Sequence, residues 1–347
     1  MDICQKENTN SKLDENLSLM KFPNDSQRRI IKHLKGITES KQGIITNIRN
    51  KPIRNIAVCS TMSSGKSTLI NALLGSDVLP AKNEATTAKI TSIYDFDGLN
   101  VIKGYCRNNS SIVEKSYDVS TLTLSSWNNN HDVNHICLAG DFDSITNDKK
   151  IVAIHDTPGT NNSGDSSHHD VTFNFLSSIP INLVIFVANS EHLSTVDEKI
   201  LLQEIKKKFL RKRTKFVFVL NKADSFDFER ESFSKILSYY QNYLENIGFL
   251  EPVIFPISAK AARLFKMAIK GQANKFTSHE IKDFAIYLDL FTSTFKFGKC
   301  RQLANSSNPE FINIGKKEFS KQAIRNAYRR SGLVDLEKYL EKYFNQI

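Results

Sequence analysis

The sequence predicts an α/β fold: a mainly parallel sheet flanked by helices, with helical additions at both ends of the chain. Three observations predict it. Short apolar runs bounded by turns recur through the middle of the chain, as buried parallel strands should. Helical stretches separate the later runs. The first run leads into a small-residue loop and then a helix, across residues 54–74.

The elements follow in order. Residues 1–23 are polar and rich in Asn, Lys and Glu, and read as a flexible lead-in. Over 24–50, Ile30, Ile31, Leu34 and Ile37, then Ile44, Ile45 and Ile48, fall on one helical face. Gly36 and Gly43 each weaken that amphipathic segment by about 1 kcal/mol relative to Ala. Strands are expected at 54–60, 89–94, 101–106, 136–139, 151–155, 183–188, 216–220 and 253–257. Helices are expected at 69–74, 171–178, 197–209 and 229–247. Beyond Lys260 no strand is expected: residues 261–347 read as helical, with a looser Asn/Ser/Gly patch around 298–313.

Composition narrows the classes. The chain has 347 residues, 40% apolar and 24% charged, close to the globular average and against a mostly disordered chain. The net charge of +10 favours anionic partners: nucleotide, nucleic acid or acidic lipid. No apolar run approaches the ~20 residues of a membrane span, and the N-terminus lacks the apolar stretch of a signal peptide, so a cytoplasmic location is expected. Cys4, Cys59, Cys106, Cys137 and Cys300 form no CxxC pair and read as free thiols with no zinc site. His168-His169 reads as plain loop.

The loop after the first strand is Ser60-Thr61-Met62-Ser63-Ser64-Gly65-Lys66-Ser67-Thr68. It matches the second half of the phosphate-binding template GxxxxGK[ST], with Ser60 at the first glycine. Consecutive N–H groups at a helix N-terminus form an anion nest. Ser64, Gly65, Lys66, Ser67 and Thr68 are therefore the candidate cradle. Lys66 would neutralise β- and γ-phosphate oxygens, and the Ser67 hydroxyl would ligate Mg²⁺. Ser60 must keep φ negative or tolerate strain, because the first position often needs a conformation costly for a residue with a Cβ.

Further motifs follow. His155 to Gly159 reads HDTPG directly after an apolar strand. Asp156 can hold Mg²⁺ through water, and Gly159 can offer its N–H to a γ-phosphate. Asn221-Lys222-Ala223-Asp224 follows the strand FVFVL. A carboxylate there can accept from guanine N1 and the exocyclic amine, a donor pair that adenine lacks. Lys222 can lie along the base, and Asn221 can tie loops together. Ser258-Ala259-Lys260 follows the strand VIFPI, where the Ala259 N–H can meet guanine O6. Between the first two motifs lies LPAKNEATTA, in which Thr87, with Thr86 as second choice, can add a Mg²⁺ ligand when a γ-phosphate is present.

In this order the segments resemble a P-loop GTPase, and SSGKST, LLGSDVLP, TTA, DTPGTNNSGDSSHH and NSEHLSTVDEKIL resemble the dynamin family, bacterial dynamin-like proteins above all. DTPG followed by NNS and a nearby His is most similar to the branch that contains the DNA-clamp-binding dynamin-like GTPase. The resemblance spans about residues 54–260, and Ser331 to Tyr343 resembles the last helix of such a domain. It implies Mg²⁺-dependent GTP hydrolysis without a catalytic Gln, since Thr160 follows DTPG. Ser63 takes the place of the family's water-orienting P-loop serine, beside a charge-compensating monovalent cation, K⁺ or Na⁺. The family forms dimers across the GTPase face; Met62 stands where dynamins often carry a polar residue.

The resemblance also implies a domain layout: lead-in 1–23, amphipathic segment 24–50, GTPase core 51–262, basic helical insertion 263–330 and closing helix 331–347. The chain is expected to be too short for a stalk. A separate stalk-bearing dynamin-like partner, or dimerisation through the GTPase face alone, would follow. The amphipathic N-terminal helix is expected to be able to pair with the C-terminal helices as a short bundle.

Residues 206–215 read KKKFLRKRTK, and residues 261–347 hold 16 Lys/Arg against 8 Asp/Glu. Cations suit a helix C-terminus, and the interleaved Phe295, Phe297, Tyr328, Tyr339 and Tyr343 suit helix cores with the cations facing water. Two further readings stay open. One is a low-turnover, GTP-gated interaction module. The other is a basic adaptor tethered to lipid or DNA, peripheral to a membrane in the first case.

Overall fold

Alternation of face explains the sheet. In Ile53–Ser60 (β1), Ile56 and Val58 join one apolar cluster while Ala57 and Cys59 join another. Successive strand residues point to opposite faces, so both faces of this strand are covered. In the computed structural model, which describes residues 24–38, 51–80, 89–142, 145, 150–158, 166–209, 214–226, 232–293, 297 and 310–346, nine strands form one sheet.

The strands are β1, Ile90–Asp95 (β2), Lys103–Arg107 (β3), Ile112–Ser116 (β4), His135–Gly140 (β5), Ile151–Asp156 (β6), Ile181–Asn189 (β7), Lys215–Asn221 (β8) and Val253–Ile257 (β9). Their spatial order is β4-β3-β5-β2-β6-β1-β7-β8-β9. From β6 through β9 all pairs are parallel. β2 runs antiparallel to β6 and parallel to β5, and β3 and β4 continue antiparallel. The eight expected strands are all present. β4 was not legible, because Ile112–Ser116 is an edge strand with three exposed residues and no apolar run.

The helices divide between the faces. Asn24–Thr38 (α1) lays Ile30, Ile31, Leu34 and Ile37 against Tyr94, Tyr105, Cys137 and Ala153. Lys66–Leu74 (α2) and Leu333–Asn345 (α10) share a different cluster with Ile56, Val58, Val152 and Ile154. On β6, residues 151 and 153 belong to the first cluster and 152 and 154 to the second. α1 and α10 therefore lie on opposite faces, and the expected bundle of N- and C-terminal helices does not form among the described residues. Burying the four α1 side chains against the sheet is worth about 1.5–3 kcal/mol each, which leaves that face nothing to offer another helix. Ile44, Ile45 and Ile48 lie outside the described residues.

Thr121–Asn129 (α3), Ser166–Ser178 (α4), Val196–Phe209 (α5) and Phe233–Ile247 (α6) flank the sheet. α3 was missed because its residues TLTLSSWNN are weak helix formers; the Ser120 capping box starts it and Trp127 anchors it. His168 and His169 lie on α4 rather than in a loop.

After β9 come Ala259–Ile269 (α7), Ser278–Ser293 (α8), a hairpin of Phe311–Ile314 (β10) and Lys317–Ser320 (β11), and Lys321–Arg330 (α9). The hairpin corrects the expectation that no strand follows Lys260. It is short, and its register places Ile312 opposite Phe319. Leu264, Phe265, Phe284, Phe291, Phe297, Ile314 and Ile324 form a separate core here, so Phe297 is a core position, although it stands outside any helix. Phe295 lies outside the described residues.

Several C-terminal cations do not face water. Arg263 pairs with Asp77 and Glu280, and Lys266 with Glu337 at 2.7 Å. Lys266 and Lys270 also donate to the carbonyls of Leu73 and Leu74 at the end of α2. That end carries the negative pole of the helix dipole, which favours the arrangement. α7 is thereby fastened to the helix that follows the phosphate loop.

Candidate nucleotide site

Parallel strands bring their C-terminal ends to one edge. Val58 of β1 stands opposite Asp156, Asn189 of β7 opposite Asn221, and Asn221 opposite Ile257. The loops after β1, β6, β8 and β9 thus leave the same edge of the sheet, where open α/β sheets bind ligands. A cavity of about 1310 Å³ lies there, lined by residues of the Ser60–Thr68 loop and by Asn221, Lys222, Asp224, Ala259 and Lys260.

The phosphate loop has the backbone of an anion nest. Ser63 (φ 56°) and Gly65 (φ 83°) adopt left-handed conformations, and Gly65 caps α2. Ser60 does not adopt a positive φ, so its side chain costs no strain where the template has glycine. The glycine requirement lies at Gly65, the second glycine of the template, where an added Cβ would also strike Asn221 Nδ2. The Ser64 hydroxyl donates to the Thr61 carbonyl at 2.8 Å and closes the turn. Thr68 sits in the first turn of α2.

Lys66 is buried and its ammonium pairs with Asp156 Oδ1. Ser67 Oγ lies 3.5 Å from Asp156 Oδ2. Thus Lys66, Ser67 and Asp156 meet, although ninety residues separate the first from the last. Cys59, at the root of the loop, is inert: burial pushes its thiol up to about 12. Gly159 and Thr87 lie outside the described residues.

At the other end Asn221 joins two loops. Its Nδ2 donates to the Ser64 carbonyl at 2.8 Å, and its Oδ1 accepts from the Ala259 N–H at 3.0 Å. Ser258 is buried at the N-cap of α7, and its N–H donates to the Ser331 carbonyl at 3.0 Å. Gly332, next in the chain, has φ 89°, and a Cβ there would strike the Pro256 carbonyl. Lys222 (φ 58°) turns the backbone so that Ala223–Ser225 form a short 3-10 helix carrying Asp224. Its ammonium pairs with Glu191 at 2.9 Å and holds that carboxyl below its ordinary value. Glu191 was not picked out in the sequence; it lies in NSEHL, a segment read only for its resemblance.

Behind Asp156 runs a buried polar chain. The Ser92 hydroxyl is 2.7 Å from His135 Nε2 and 2.7 Å from His155 Nδ1. His155 Nε2 is 3.0 Å from Asn55 Oδ1, and Gln27 of α1 donates to the same oxygen at 2.8 Å. Burial pushes both histidines down to about 3, so they are neutral at pH 7. A polar residue within an apolar strand was the available signal, but no spacing shows that four strands and a helix align these groups.

The dynamin family model matches residues 56–223, from β1 to just past β8. In sequence the chain is 29% identical over 269 residues to a protein of Caldicellulosiruptor sp. (strain Rt8B.4) described as an uncharacterized protein in the xynA 3′ region, covering 70% of this chain and 60% of that one. In structure it is similar to a member of an oligomerised bacterial dynamin pair described as sensing and tethering membranes at long range. That match has a TM-score of 0.46 and 20% identity, and covers 100% of this chain and 48% of that one. It is also similar to Era from Aquifex aeolicus bound to GDP.AlF4-, with a TM-score of 0.36 and 16% identity, covering 60% of this chain and 52% of that one. The chain spans about half the length of these solved structures.

Proposed function

We propose that residues 56–223, which match the dynamin family model, form a GTPase domain that binds and hydrolyses GTP, with its residues in the following roles. GTP lies along the cleft, its phosphates on the Ser60–Thr68 loop and its base between Asn221–Asp224 and Ser258–Lys260. The observation that supports this most is the meeting of Lys66, Ser67 and Asp156 at one sheet edge, with Asn221 tying that loop to the base-side loop.

The donor set at the phosphate end suits Mg²⁺. A hydroxyl and a carboxylate, both oxygen donors, stand 3.5 Å apart, and hard cations take such ligands. Ser67 would hold the ion directly, Asp156 through water, and Thr87 would add a ligand. Bound there, Mg²⁺ would supply charge neutralisation between phosphate oxygens. Lys66 exchanges its Asp156 partner for phosphate oxygens when nucleotide arrives, so the carboxylate becomes free as the lysine leaves. Gly159 donates its N–H to the γ-phosphate. Ser63, exposed on the loop, orients the attacking water and offers oxygen to a K⁺ or Na⁺ ion. Asp224 accepts from guanine N1 and N2, Ala259 donates to O6, and Lys222 covers the base.

The proposal includes a homodimer across the cleft, or a pairing with another dynamin-like chain. Met62 is 37% exposed on the phosphate loop, where such a partner would meet it. Its thioether cannot supply a polar contact across that interface, which favours the second reading of a slow, GTP-gated interaction module. One assay separates the readings: GTP turnover with Mg²⁺ and K⁺ over a range of protein concentrations. Specific activity rising with concentration supports dimer-stimulated hydrolysis. Flat, near-zero turnover with measurable GTP affinity supports the gated module.

A further inference from the structure

The loop after β7 reaches across to the loop after β8. Asn189, the last residue of β7, stands opposite Asn221, the last of β8, so the residues that follow leave the sheet side by side. Ser190 makes two bonds there. Its N–H donates to the Asn221 carbonyl at 3.0 Å, and its hydroxyl donates to the Lys222 carbonyl at 2.7 Å. The first carbonyl belongs to the peptide before Lys222 and the second to the peptide after it. Peptides are planar, so one residue holding both of them fixes the φ and ψ of Lys222 between them.

Lys222 needs holding. It is left-handed (φ 58°, ψ 32°), a conformation costly for a residue with a Cβ, and it directly precedes the Ala223–Ser225 turn that carries Asp224. Ser225 also donates to the Lys222 carbonyl, from its N–H at 3.0 Å and its hydroxyl at 2.5 Å. Those bonds lie within the turn, so they shape it without fixing it to the sheet. The ion pair of Lys222 with Glu191 does cross between the loops, but both side chains are more than a third exposed, and surface pairs hold little. Ser190 is buried, so water does not compete for its hydroxyl. Its own loop is set by Asn189, whose carbonyl accepts from the His192 N–H at 3.0 Å and whose Oδ1 accepts from the Glu191 N–H at 3.1 Å.

The chemistry of the base end makes that placement matter. Lys222 and Asp224 line the cleft, whereas Ser190 does not, so Ser190 acts through the backbone of Lys222. A carboxylate that must accept two N–H groups lying in the plane of one base tolerates little displacement. We propose that Ser190 is a positioning residue for base selection: its N–H and hydroxyl hold Lys222 left-handed and thereby aim the Asp224 carboxylate at guanine. The loop after β7 takes part in choosing the nucleotide without touching it. This inference rests on the reading of Asp224 as the guanine acceptor.

Variants of the full chain test it by fluorescence titration with a labelled GTP, competed by unlabelled GTP and inosine triphosphate. Inosine lacks the exocyclic amine, so it gives Asp224 one hydrogen bond where guanine gives two. Ser190→Ala keeps the N–H and removes the hydroxyl. It should weaken GTP binding about 3- to 10-fold, as losing a hydrogen bond between uncharged groups does. Inosine triphosphate should lose less, so the gap between the two nucleotides narrows. Ser190→Thr keeps the hydroxyl and its bond, and should stay within about twofold of the parent chain for both. Unchanged GTP binding in Ser190→Ala, equal losses for the two nucleotides, or the same loss in Ser190→Thr overturns the role of Ser190. Asp224→Asn, titrated with a labelled xanthosine triphosphate, should prefer that nucleotide to GTP, because its base carries a carbonyl where guanine carries the amine. If it does not, the guanine reading fails and the inference falls with it. If it does while Ser190→Ala changes nothing, only the inference fails.

Discussion

The two ends of the proposed nucleotide cleft are built in different ways. The phosphate end comes from nine consecutive residues, Ser60 to Thr68, closed by Asp156 from the neighbouring strand. The base end collects Asn221–Asp224 and Ser258–Lys260 from two separate segments. A local anion nest needs only the dihedral angles of one loop, and Ser63 and Gly65 supply those. A base pocket needs the relative placement of two strand ends and a helix. Asn221 bonds to both ends, so it is the point at which they can be made to depend on each other.

Perturbing each end separately is the way to break that comparison. The largest effect is expected from Lys66→Ala. It removes the phosphate-neutralising cation and leaves Asp156 without its buried partner. Turnover should fall about 10²- to 10³-fold, as when a preorganised charge stabiliser is lost, and affinity should fall for GTP and ATP alike in a competition assay. Equal turnover without Lys66 would show the phosphate end to be wrongly assigned.

Asp224→Asn acts on the base alone. GTP affinity should fall about 100-fold, from two hydrogen bonds to a charged acceptor, while ATP competes as before. If ATP binding collapses too, the ends are not separable.

Asn221→Ala tests the tie. It strands the Ser64 carbonyl and the Ala259 N–H, each costing about 1–3 kcal/mol when left buried. A lower unfolding midpoint in denaturant and losses for both GTP and ATP are expected, unlike either variant above. A change confined to GTP would place Asn221 in the base pocket only.

The smallest effect per step is in pH. His135 and His155 titrate near 3 in the folded chain and near 6.5 when unfolded. Between those values the unfolded chain binds more protons, so stability present above 6.5 is lost as pH falls. Each histidine accounts for about 1.4 kcal/mol per pH unit. Glu198 opposes this. Burial raises it to about 7 despite the Tyr240 hydroxyl, so its contribution is lost as pH rises from about 4.5 to 7. Two histidines outweigh one glutamate, and stability should climb with pH up to about 6.5. Denaturant melts at several pH values measure this, and His135→Gln should flatten the acid limb.

The comparison also marks what could be read in advance. Central strands such as β7 were legible because both faces are buried and the apolar run is continuous, as in Leu183 to Ala188. Edge strand β4 and the β10–β11 hairpin were not, because neither carries that pattern. Ser60 looked like a cost to the phosphate loop, yet its φ stays outside the left-handed region. The basic C-terminal residues looked solvated, yet Arg263, Lys266 and Lys270 are engaged with α2 and its neighbours. Charge counts record how many cations a segment has but not which of them meet a carbonyl or a carboxylate.

By itself the sequence determined the alternation of strand and helix and the contiguous loop Ser60 to Thr68 that leads into α2. Each of these depends on period or on contiguous backbone. Only the tertiary structure decided that α1 covers one face of the sheet and α10 the other, that Lys66 meets Asp156, and that Lys266 meets Glu337. Those facts depend on which strands become neighbours and on how a distant helix packs, and no spacing along the chain encodes either.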